Sequence, residues 1–296
     1  MIGKVGLSTQ AEFSQSHREY LLSAPPNKWM SDGMANRLFR VRHDETVSVL
    51  ATGDSSVFGV GDFGDRLPSV GAGWTGRFAH DINAKRYINV ARNGARARHL
   101  NESQLKAALG MRPTLVLTCI GTNDVLRGDY SPTEIEESLQ NFVRRLHEIE
   151  SIAIFLGLPD PLVTAPGPLA LRRILNRRVK AVNEILYRVA RREDAIFIAT
   201  WHLPYDRRNW HVDRMHPSPS GHQVIAQHVR RELALIRKYR DILPIDVERS
   251  KHFETYWLMT NGLKWFLKRS IDLIPGLLWL IASDWLAGRA RSQQPS

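Results

Sequence analysis

Short apolar runs alternate with helix-length amphipathic segments through the middle of the chain. The runs are brief and rich in β-branched residues, which is typical of buried strands. Because strands that are apolar throughout belong to parallel sheets covered on both faces, we expect an α/β fold, a three-layer α/β/α sandwich. The predicted strands are Val47–Gly53, Tyr87–Gly94, Thr114–Gly121, Ser151–Pro159 and Ala195–Thr200. The predicted helices are Gly71–Ile82, Asn101–Leu109, Pro132–Ile149, Pro168–Arg192 and Ser218–Arg240.

The alternating pattern holds over residues 47–242, which we expect to form one domain, and it fails on either side. Residues 1–46 are an N-terminal extension to which the sequence assigns no role. Residues 243–296 are a Trp-rich apolar tail, predicted to be helical. Tryptophan beside Lys and Arg suits a membrane interface, whereas Asp272, Pro275 and Asp284 oppose a spanning helix. Membrane contact, packing on the core and dimerisation all remain open for the tail.

Composition limits the class of protein. The 296 residues are 43% hydrophobic, enough for one large α/β domain with an appendage. The single cysteine, Cys119, excludes an intramolecular disulfide framework and a Cys-rich zinc site, and its apolar surroundings predict a buried thiol. The N-terminus has no apolar segment followed by a small-residue cleavage site, so no secretory signal is predicted. We therefore expect a cytoplasmic protein, peripheral at the membrane if the tail binds lipid.

The net charge of +11 favours an anionic partner, either nucleic acid or acidic lipid headgroups. No aromatic–basic motif of an RNA or DNA module accompanies the charge, so nucleic acid is not expected as a partner. The helix predicted at Pro168–Arg192 carries seven arginines away from its apolar face. That charged face is either solvated or attracts anionic lipid.

Polar residues of different types follow the ends of the predicted strands. In open parallel sheets, ligands bind beyond the carboxyl ends of the strands, near the point where the strand order reverses. We therefore expect these residues to converge on one rim of the sheet. They are Gly53-Asp54-Ser55-Ser56, the stretch from Asn89 to Gly94, Gly121-Thr122-Asn123-Asp124, and the stretch from Val212 to His222.

These residue types fit nucleophilic catalysis. A serine hydroxyl is a weak nucleophile until a neutral imidazole accepts its proton, and the imidazole needs a carboxylate to fix its tautomer. Ser55 supplies the hydroxyl, and Asp213 and His216, three residues apart, supply the carboxylate and the imidazole. A tetrahedral intermediate also needs hydrogen-bond donors for its oxyanion. The backbone N–H groups of Ser55 and Gly94 and the side-chain amide of Asn123 are the candidates.

The same residues resemble those of the SGNH hydrolases of the GDSL esterase/lipase family. The resemblance covers roughly Val47 to Arg240, and four short motifs occur in the family's order. They are Gly-Asp-Ser at 53–55, Asn-x-x-x-x-Gly at 89–94, Gly-x-Asn-Asp at 121–124 and Asp-x-x-His-Pro at 213–217. The resemblance implies a flavodoxin-like sheet and an SGNH hydrolase catalytic domain over 47–242. It also implies that Ser55 is the nucleophile, His216 the base and Asp213 its partner, with Ser55, Gly94 and Asn123 around the oxyanion.

The chain departs from the family pattern at two places. Ser56 follows the nucleophile where the family commonly has an apolar residue, and Arg96 and Arg98 follow the oxyanion glycine. The two arginines indicate either an acidic or phosphate-bearing substrate or ordinary solvent-exposed charge. Val57 replaces the second glycine of a Gly-x-Ser-x-Gly elbow, which disfavours the ordinary α/β-hydrolase fold.

The remaining polar residues of the motifs are expected to be structural. Asp54 adjoins the nucleophile and points the wrong way along a turn to serve as the triad acid. Asp124 is expected to fix the loop after the third predicted strand through hydrogen bonds to backbone N–H groups. His211 and His222 flank the site, but they lack a Cys partner and the His-x-x-x-His spacing of zinc ligands. No metal and no organic cofactor are expected.

We therefore predict a serine ester hydrolase that acts through an acyl-enzyme on a lipidic or small-molecule carboxylic ester. Its turnover should rise with pH as His216 loses its proton. An acyltransferase using the same acyl-enzyme and a noncatalytic membrane-binding or partner-binding module remain alternatives. Lipid esters, acetylated sugars and biosynthetic esters all fit as substrates, and a homo-oligomer stays open.

Overall fold

A computed structural model describes residues 31–44, 46–62, 73–164, 169–201, 203, 206–211, 213–233, 278 and 282. Apart from residues 278 and 282, the predicted Trp-rich tail lies outside this description, as do residues 1–30 of the N-terminal extension and the predicted helical residues 234–240. Within the described part, no helix has the length and apolar character needed to cross a bilayer.

The core of the molecule is a parallel sheet of five strands, in the order β2-β1-β3-β4-β5. Strand β1 lies between β2 and β3, with Ala51 beside Asn89 on one side and Gly53 beside Cys119 on the other. The strand order reverses next to β1, so the flavodoxin-like sheet and its switch point are confirmed. The strands are β1 (Ser48–Gly53), β2 (Arg86–Asn89), β3 (Leu115–Cys119), β4 (Ile152–Leu156) and β5 (Ile196–Ile198).

Helices cover both faces of the sheet, which confirms the three-layer prediction. Their ends follow ordinary capping rules: Ser131 and Ser218 each accept the N–H three residues on, and each precedes a proline at the first helical position. The longer helices are α1 (Asp32–His43), α3 (Gly73–Asp81), α4 (Leu105–Met111), α6 (Pro132–His147), α8 (Leu169–Arg192) and α9 (Pro219–Glu232). The short helices are α2 (Ser55–Phe58), α5 (Thr122–Val125) and α7 (Pro161–Thr164), with a π-helical turn at Leu100–Gln104 and a 3₁₀ turn at Arg207–Asn209.

The second strand is shorter than the predicted Tyr87–Gly94. It ends at Asn89, whose side chain binds two backbone groups. Its Oδ1 accepts the N–H of Ala91 at 3.0 Å, and its Nδ2 donates to Val57 O at 2.9 Å. An asparagine that binds its own backbone two residues on starts a turn. Gly94 therefore lies in a loop after the strand, with a positive φ of 79°.

Helix α1, which the sequence did not predict, joins the core. Met34, Leu38 and Val41 recur at helical spacing and are buried with the sheet residues in one apolar cluster. Ser31 caps the helix and donates its hydroxyl proton to Asp194 at 2.6 Å. This part of the N-terminal extension therefore helps to close the α/β unit.

Candidate active site

The site begins where β1 ends. Gly53 has a φ of 130°, and a Cβ there would overlap the carbonyl oxygen of Cys119, so only glycine fits this turn. Asp54 then caps α2: its Oδ1 accepts the Ser56 N–H at 2.9 Å and the Ser56 hydroxyl at 2.8 Å. Ser55 is the first residue of this helix and is partly exposed at the sheet rim. The structural role predicted for Asp54 is thus confirmed.

A second loop carries His216 toward Ser55. Asp213 shapes this loop because its Oδ1 accepts the backbone N–H groups of Met215 at 2.9 Å and of His216 at 3.0 Å. A bridge between Trp210 and Pro217 closes the base of the loop. The carboxylate that contacts the imidazole therefore also folds the backbone that presents it.

The structure brings the three predicted residues into one chain of hydrogen bonds. His216 Nε2 lies 2.7 Å from Ser55 Oγ, and His216 Nδ1 lies 2.8 Å from Asp213 Oδ2. With the proton on Nδ1, the imidazole donates to the carboxylate and accepts from the serine hydroxyl. This geometry places an imidazole nitrogen within reach of the Ser55 hydroxyl proton, as a general base requires.

Asp213 contacts a second imidazole as well. His211 is buried, and its Nδ1 lies 3.4 Å from Asp213 Oδ2. Burial by itself would raise the pKa of Asp213, but hydrogen bonds from His211, His216 and the Met215 N–H outweigh it and hold that pKa well below its usual range. Asp213 is therefore a permanent anion beside His216 at neutral pH.

Hydrogen bonds tie the loops after β1, β2 and β3 to one another. Asn89 reaches from the end of β2 to Val57 in α2, and Asn123 Nδ2 donates to Ala95 O at 3.0 Å, beside Gly94. The second amide proton of Asn123 is left for another acceptor. Ser55, Gly94 and Asn123 thus follow three adjacent strands, which is the arrangement that the sequence predicts.

Arg96 is buried, so the interpretation of this arginine as solvent-exposed charge is wrong, and its charge is paired within the protein. It is 9% exposed, and its guanidinium contacts Asp124 at 3.2 Å and Asp129 at 2.8 Å. Arg98 pairs with Glu134 at 2.6 Å. These carboxylates neutralise the charges of the two arginines. The ion pairs join the loop after β2 to the segment after β3.

Asp124 plays the structural part predicted for it. Its Oδ2 accepts the Ala97 N–H at 3.1 Å, and its Oδ1 accepts from Arg96 Nε at 3.2 Å. Burial raises the pKa of this carboxyl, against the lowering effect of these two partners. Because Asp124 follows Asn123 directly, these bonds fix the backbone that carries the Asn123 amide.

Helix α8 supports the same loop from behind. Arg178 Nη1 donates to Val125 O at 3.0 Å and to Arg127 O at 2.8 Å. Gly121 has a φ of 113°, and a Cβ there would come within 2.7 Å of Val182 Cγ1. At least part of the arginine-rich face of α8 therefore holds the candidate site in place.

Two groups of side chains at the site escaped sequence analysis. The buried side chain of Gln104 binds both the N–H and the carbonyl of Gly53, at 2.7 and 3.0 Å. Asp62 and Arg77 form a buried ion pair at 2.8 Å, with His222 close by. Gln104, Asp62 and Arg77 belong to no short motif. The only sequence signal for Gln104 is that a polar residue occurs on the apolar side of the helix predicted at Asn101–Leu109.

The described residues contain no group of three or more His, Cys, Asp or Glu side chains placed to hold a metal ion. His222, one of the two flanking histidines, is engaged through both ring nitrogens, with Trp74 N–H at 3.1 Å and Val60 O at 3.0 Å. Its bonds are therefore those of a structural imidazole.

Residues 51–224 match the GDSL-like Lipase/Acylhydrolase family, which is more than half of the chain. The chain belongs to this family. As an SGNH-type acylhydrolase, it is a carboxylic ester hydrolase. The family match lies within the domain predicted at 47–242 and includes the Ser55, Asp213 and His216 motifs.

Solved structures share the fold of this acylhydrolase. Axe2, an acetylxylan esterase from Geobacillus stearothermophilus, is 20% identical, and the match covers 66% of this chain and 100% of that chain with a TM-score of 0.52. LAE5, an alpha/beta hydrolase enzyme from the metagenome of Lake Arreo, Spain, is also 20% identical, with 66% and 99% covered and a TM-score of 0.53. At these identities the likeness concerns the fold. A comparison with curated proteins found no match.

Proposed function

We propose that the protein hydrolyses carboxylic esters through a Ser55–His216–Asp213 triad and an acyl-enzyme. His216 Nε2 takes the Ser55 proton as Oγ attacks the ester carbonyl carbon, and the carbonyl electrons move to the oxygen. When the tetrahedral intermediate collapses, the C–O bond to the alcohol breaks and His216 gives its proton to the leaving alcohol. Water then attacks the acyl-enzyme by the same route, which releases the carboxylic acid and restores Ser55.

The observation that carries this proposal is the continuous contact from Ser55 Oγ through the imidazole of His216 to Asp213, at 2.7 and 2.8 Å. Asp213 stabilises the imidazolium that forms when the serine proton moves. The N–H groups of Ser55 and Gly94 and the free amide proton of Asn123 are proposed to bind the oxyanion. Each such donor contributes about 3 kcal/mol to the transition state.

A fluorophosphonate probe and a chromogenic ester test the triad. We expect wild-type protein to be labelled at Ser55 and Ser55→Ala to lose both labelling and turnover. The matched control is Ser56→Ala, which removes the neighbouring hydroxyl but keeps the helix cap through the Ser56 N–H. It should retain labelling and most of its turnover. Undiminished turnover in Ser55→Ala with an unchanged circular dichroism spectrum would refute the proposal.

We propose a lipidic acyl chain as the substrate group, supported by apolar side chains at the rim. Phe58 lies three residues after Ser55, on the same face of α2, and is 51% exposed. Leu169, at the start of α8, is also exposed. The apolar composition of the tail favours the same substrate class.

A series of p-nitrophenyl esters from acetate to decanoate tests this preference. We expect kcat/KM to rise with chain length, and Phe58→Ser to reduce the value for decanoate more than that for acetate. A maximum at acetate in both proteins would instead favour a short acyl group, such as the acetyl group removed by the acetylxylan esterase that shares the fold.

Acyl transfer to an alcohol or amine uses the same intermediate, and product analysis with competing acceptors separates it from hydrolysis. Peripheral membrane contact and dimerisation through the tail stay predictions. Flotation with anionic and zwitterionic vesicles tests membrane contact, and light scattering of the full chain tests dimerisation.

A further inference from the structure

Four polar side chains form a buried cluster between the nucleophile segment and helix α9. Each is at most 3% exposed: Asp62 and Arg77, with His222 and Gln223 from the first two turns of α9. Arg77 binds both carboxylate oxygens of Asp62, at 2.8 and 2.9 Å, and donates to Gln223 Oε1 at 3.1 Å. A buried ion pair rarely stabilises a fold more than apolar packing of equal volume. Stability alone therefore does not account for this cluster, and its place between the two segments does.

His222 connects this cluster to the segment that carries the nucleophile. Its Nε2 donates to Val60 O at 3.0 Å, and its Nδ1 accepts the Trp74 N–H at 3.1 Å. Val60 in turn donates its N–H to the carbonyl of Ser55 at 3.1 Å. Two hydrogen bonds thus lead from the imidazole of His222 to the backbone of Ser55.

The same two segments also meet on the side of the base. Gly61, with a φ of 95°, packs so closely on Pro217 that a Cβ would overlap the Pro217 carbonyl oxygen. Pro217 follows His216 directly. His222 and Gly61 therefore fix the segment after Ser55 against the segment after His216 at two separate points.

We propose that His222 is a positioning residue for acylation, holding the Ser55 segment against the His216 segment through its bond to Val60 O. The inference rests on the triad chemistry proposed above. The position of a nucleophile decides its rate, because a displacement of about 1 Å costs on the order of 100-fold in turnover. The bond to Val60 O requires a proton on Nε2, and acceptance of the Trp74 N–H requires Nδ1 without one, so the two bonds together require a neutral imidazole.

The surroundings of His222 keep it neutral. Three charged or titratable groups act on its ring: Asp62 and Arg77 from the cluster, and His216 from the base segment. Burial is the largest effect, and together with Arg77 and His216 it lowers the pKa of His222 to about 4, against the raising effect of Asp62. At neutral pH the ring can therefore accept from Trp74 and donate to Val60 at the same time.

Two amide variants separate the two bonds of His222. In His222→Gln the amide nitrogen reaches the place of Nε2 and can still donate to Val60 O. In His222→Asn the amide oxygen reaches the place of Nδ1 and can accept the Trp74 N–H, but nothing reaches Val60. We expect His222→Gln to keep kcat within about threefold of wild type, and His222→Asn to lose about 10- to 100-fold in kcat with KM unchanged.

His228→Asn is the matched control. His228 is buried in the same helix, and its Nε2 binds the carbonyl of Ala199 at 2.8 Å, away from the nucleophile segment. This variant should lower Tm as His222→Asn does, while its kcat stays at the wild-type value. Equal kcat in His222→Asn and His228→Asn, or equal losses in His222→Gln and His222→Asn, would overturn the proposal.

The rate of fluorophosphonate labelling provides a second measurement of the position of Ser55. We expect His222→Asn to be labelled about 10- to 100-fold more slowly than wild type and His222→Gln within about threefold of it. If His222→Asn does not fold, His222→Gln decides, because it keeps only the bond to Val60 O. A loss in its kcat or labelling rate well beyond threefold would overturn the proposal. Failure of the triad is distinguishable, because Ser55→Ala would then remain active whatever the His222 variants do.

Discussion

The side chain of Gln104 pairs with the backbone of Gly53 as a neighbouring strand would. Its Nε2 donates to the Gly53 carbonyl at 3.0 Å, and its Oε1 accepts the Gly53 N–H at 2.7 Å. Gly53 is the last residue of β1, two positions before Ser55. The amide therefore satisfies the backbone at the point where the strand must turn to present Ser55.

We predict that Gln104→Leu destabilises the protein by about 2 kcal/mol, because it leaves the buried Gly53 N–H without a partner. Urea unfolding measures the change. The control is Gln140→Leu, at a half-buried site on α6 where the side chain makes one long bond to Glu136. That substitution should stay within about 0.5 kcal/mol of wild type. Equal stability of the two variants would show that the Gln104 amide contributes nothing to the turn.

Asp213→Asn should lower kcat by about 10³- to 10⁴-fold, since an amide neither stabilises the imidazolium nor holds the proton on His216 Nδ1. Asn can still accept the Met215 and His216 N–H groups, so the loop should keep its shape. Steady-state kinetics with circular dichroism provide the test. A loss of less than tenfold would mean that Asp213 serves the loop alone.

Asn123→Ala should lower kcat by about 10²- to 10³-fold with little change in KM, because the oxyanion exists only in the transition state. The Asp124 bonds to Ala97 and Arg96 should keep the loop in place in this variant. An increase in KM with kcat unchanged would instead assign Asn123 to substrate binding.

Gly221→Ala should both destabilise the protein and slow turnover. A Cβ at this position would overlap the carbonyl oxygen of Asn209, a backbone atom that also accepts the Ser218 N–H. Relief of the overlap moves the start of α9 and, with it, the His216 loop. In contrast, Gly110→Ala, in α4 with no atom within 4 Å of the new Cβ, should stabilise by about 0.5–1 kcal/mol. Thermal unfolding of the two variants gives the comparison.

The lowered pKa of His222 makes stability depend on pH. An unfolded histidine takes up a proton near pH 6.5, but the folded one resists it, so protons favour the unfolded chain below that pH. Stability from this group is complete above pH 6.5 and falls as the pH drops toward the folded value. We predict that Tm of wild type falls more between pH 6.5 and 4.5 than Tm of His222→Gln. Parallel curves would mean that the ring is already protonated in the fold.

The sequence predicts the sheet because its five apolar runs are local signals. The structure confirms all five strands, with errors of a few residues at their ends. The positions of Ser55, Asp213 and His216 were also predictable, since each motif is short and sits at the end of a predicted strand or ahead of a predicted helix. Local pattern and strand-end geometry together sufficed for these residues.

Contacts between distant segments were not predictable in this way. From the sequence Arg96 is either a surface charge or a contact for an acidic substrate, and only the fold shows that Asp124 and Asp129 pair with it. Asp62 and Arg77 are 15 positions apart, and only the folded chain shows that they pair. Helix α1 was missed because its apolar positions are few and its core partners lie far along the chain. These residues act through tertiary neighbours that no spacing rule encodes.

Ser55 and His216, which contacts it, are 161 positions apart, and His216 lies on the loop before α9. During synthesis the ribosome therefore produces the Ser55 hydroxyl long before the imidazole that is proposed to take its proton. A serine without a base attacks esters poorly. Under the proposed triad, an unfinished copy of the chain that lacks His216 is thus chemically harmless to the esters around it, and competence to react comes only when the loop before α9 is in place.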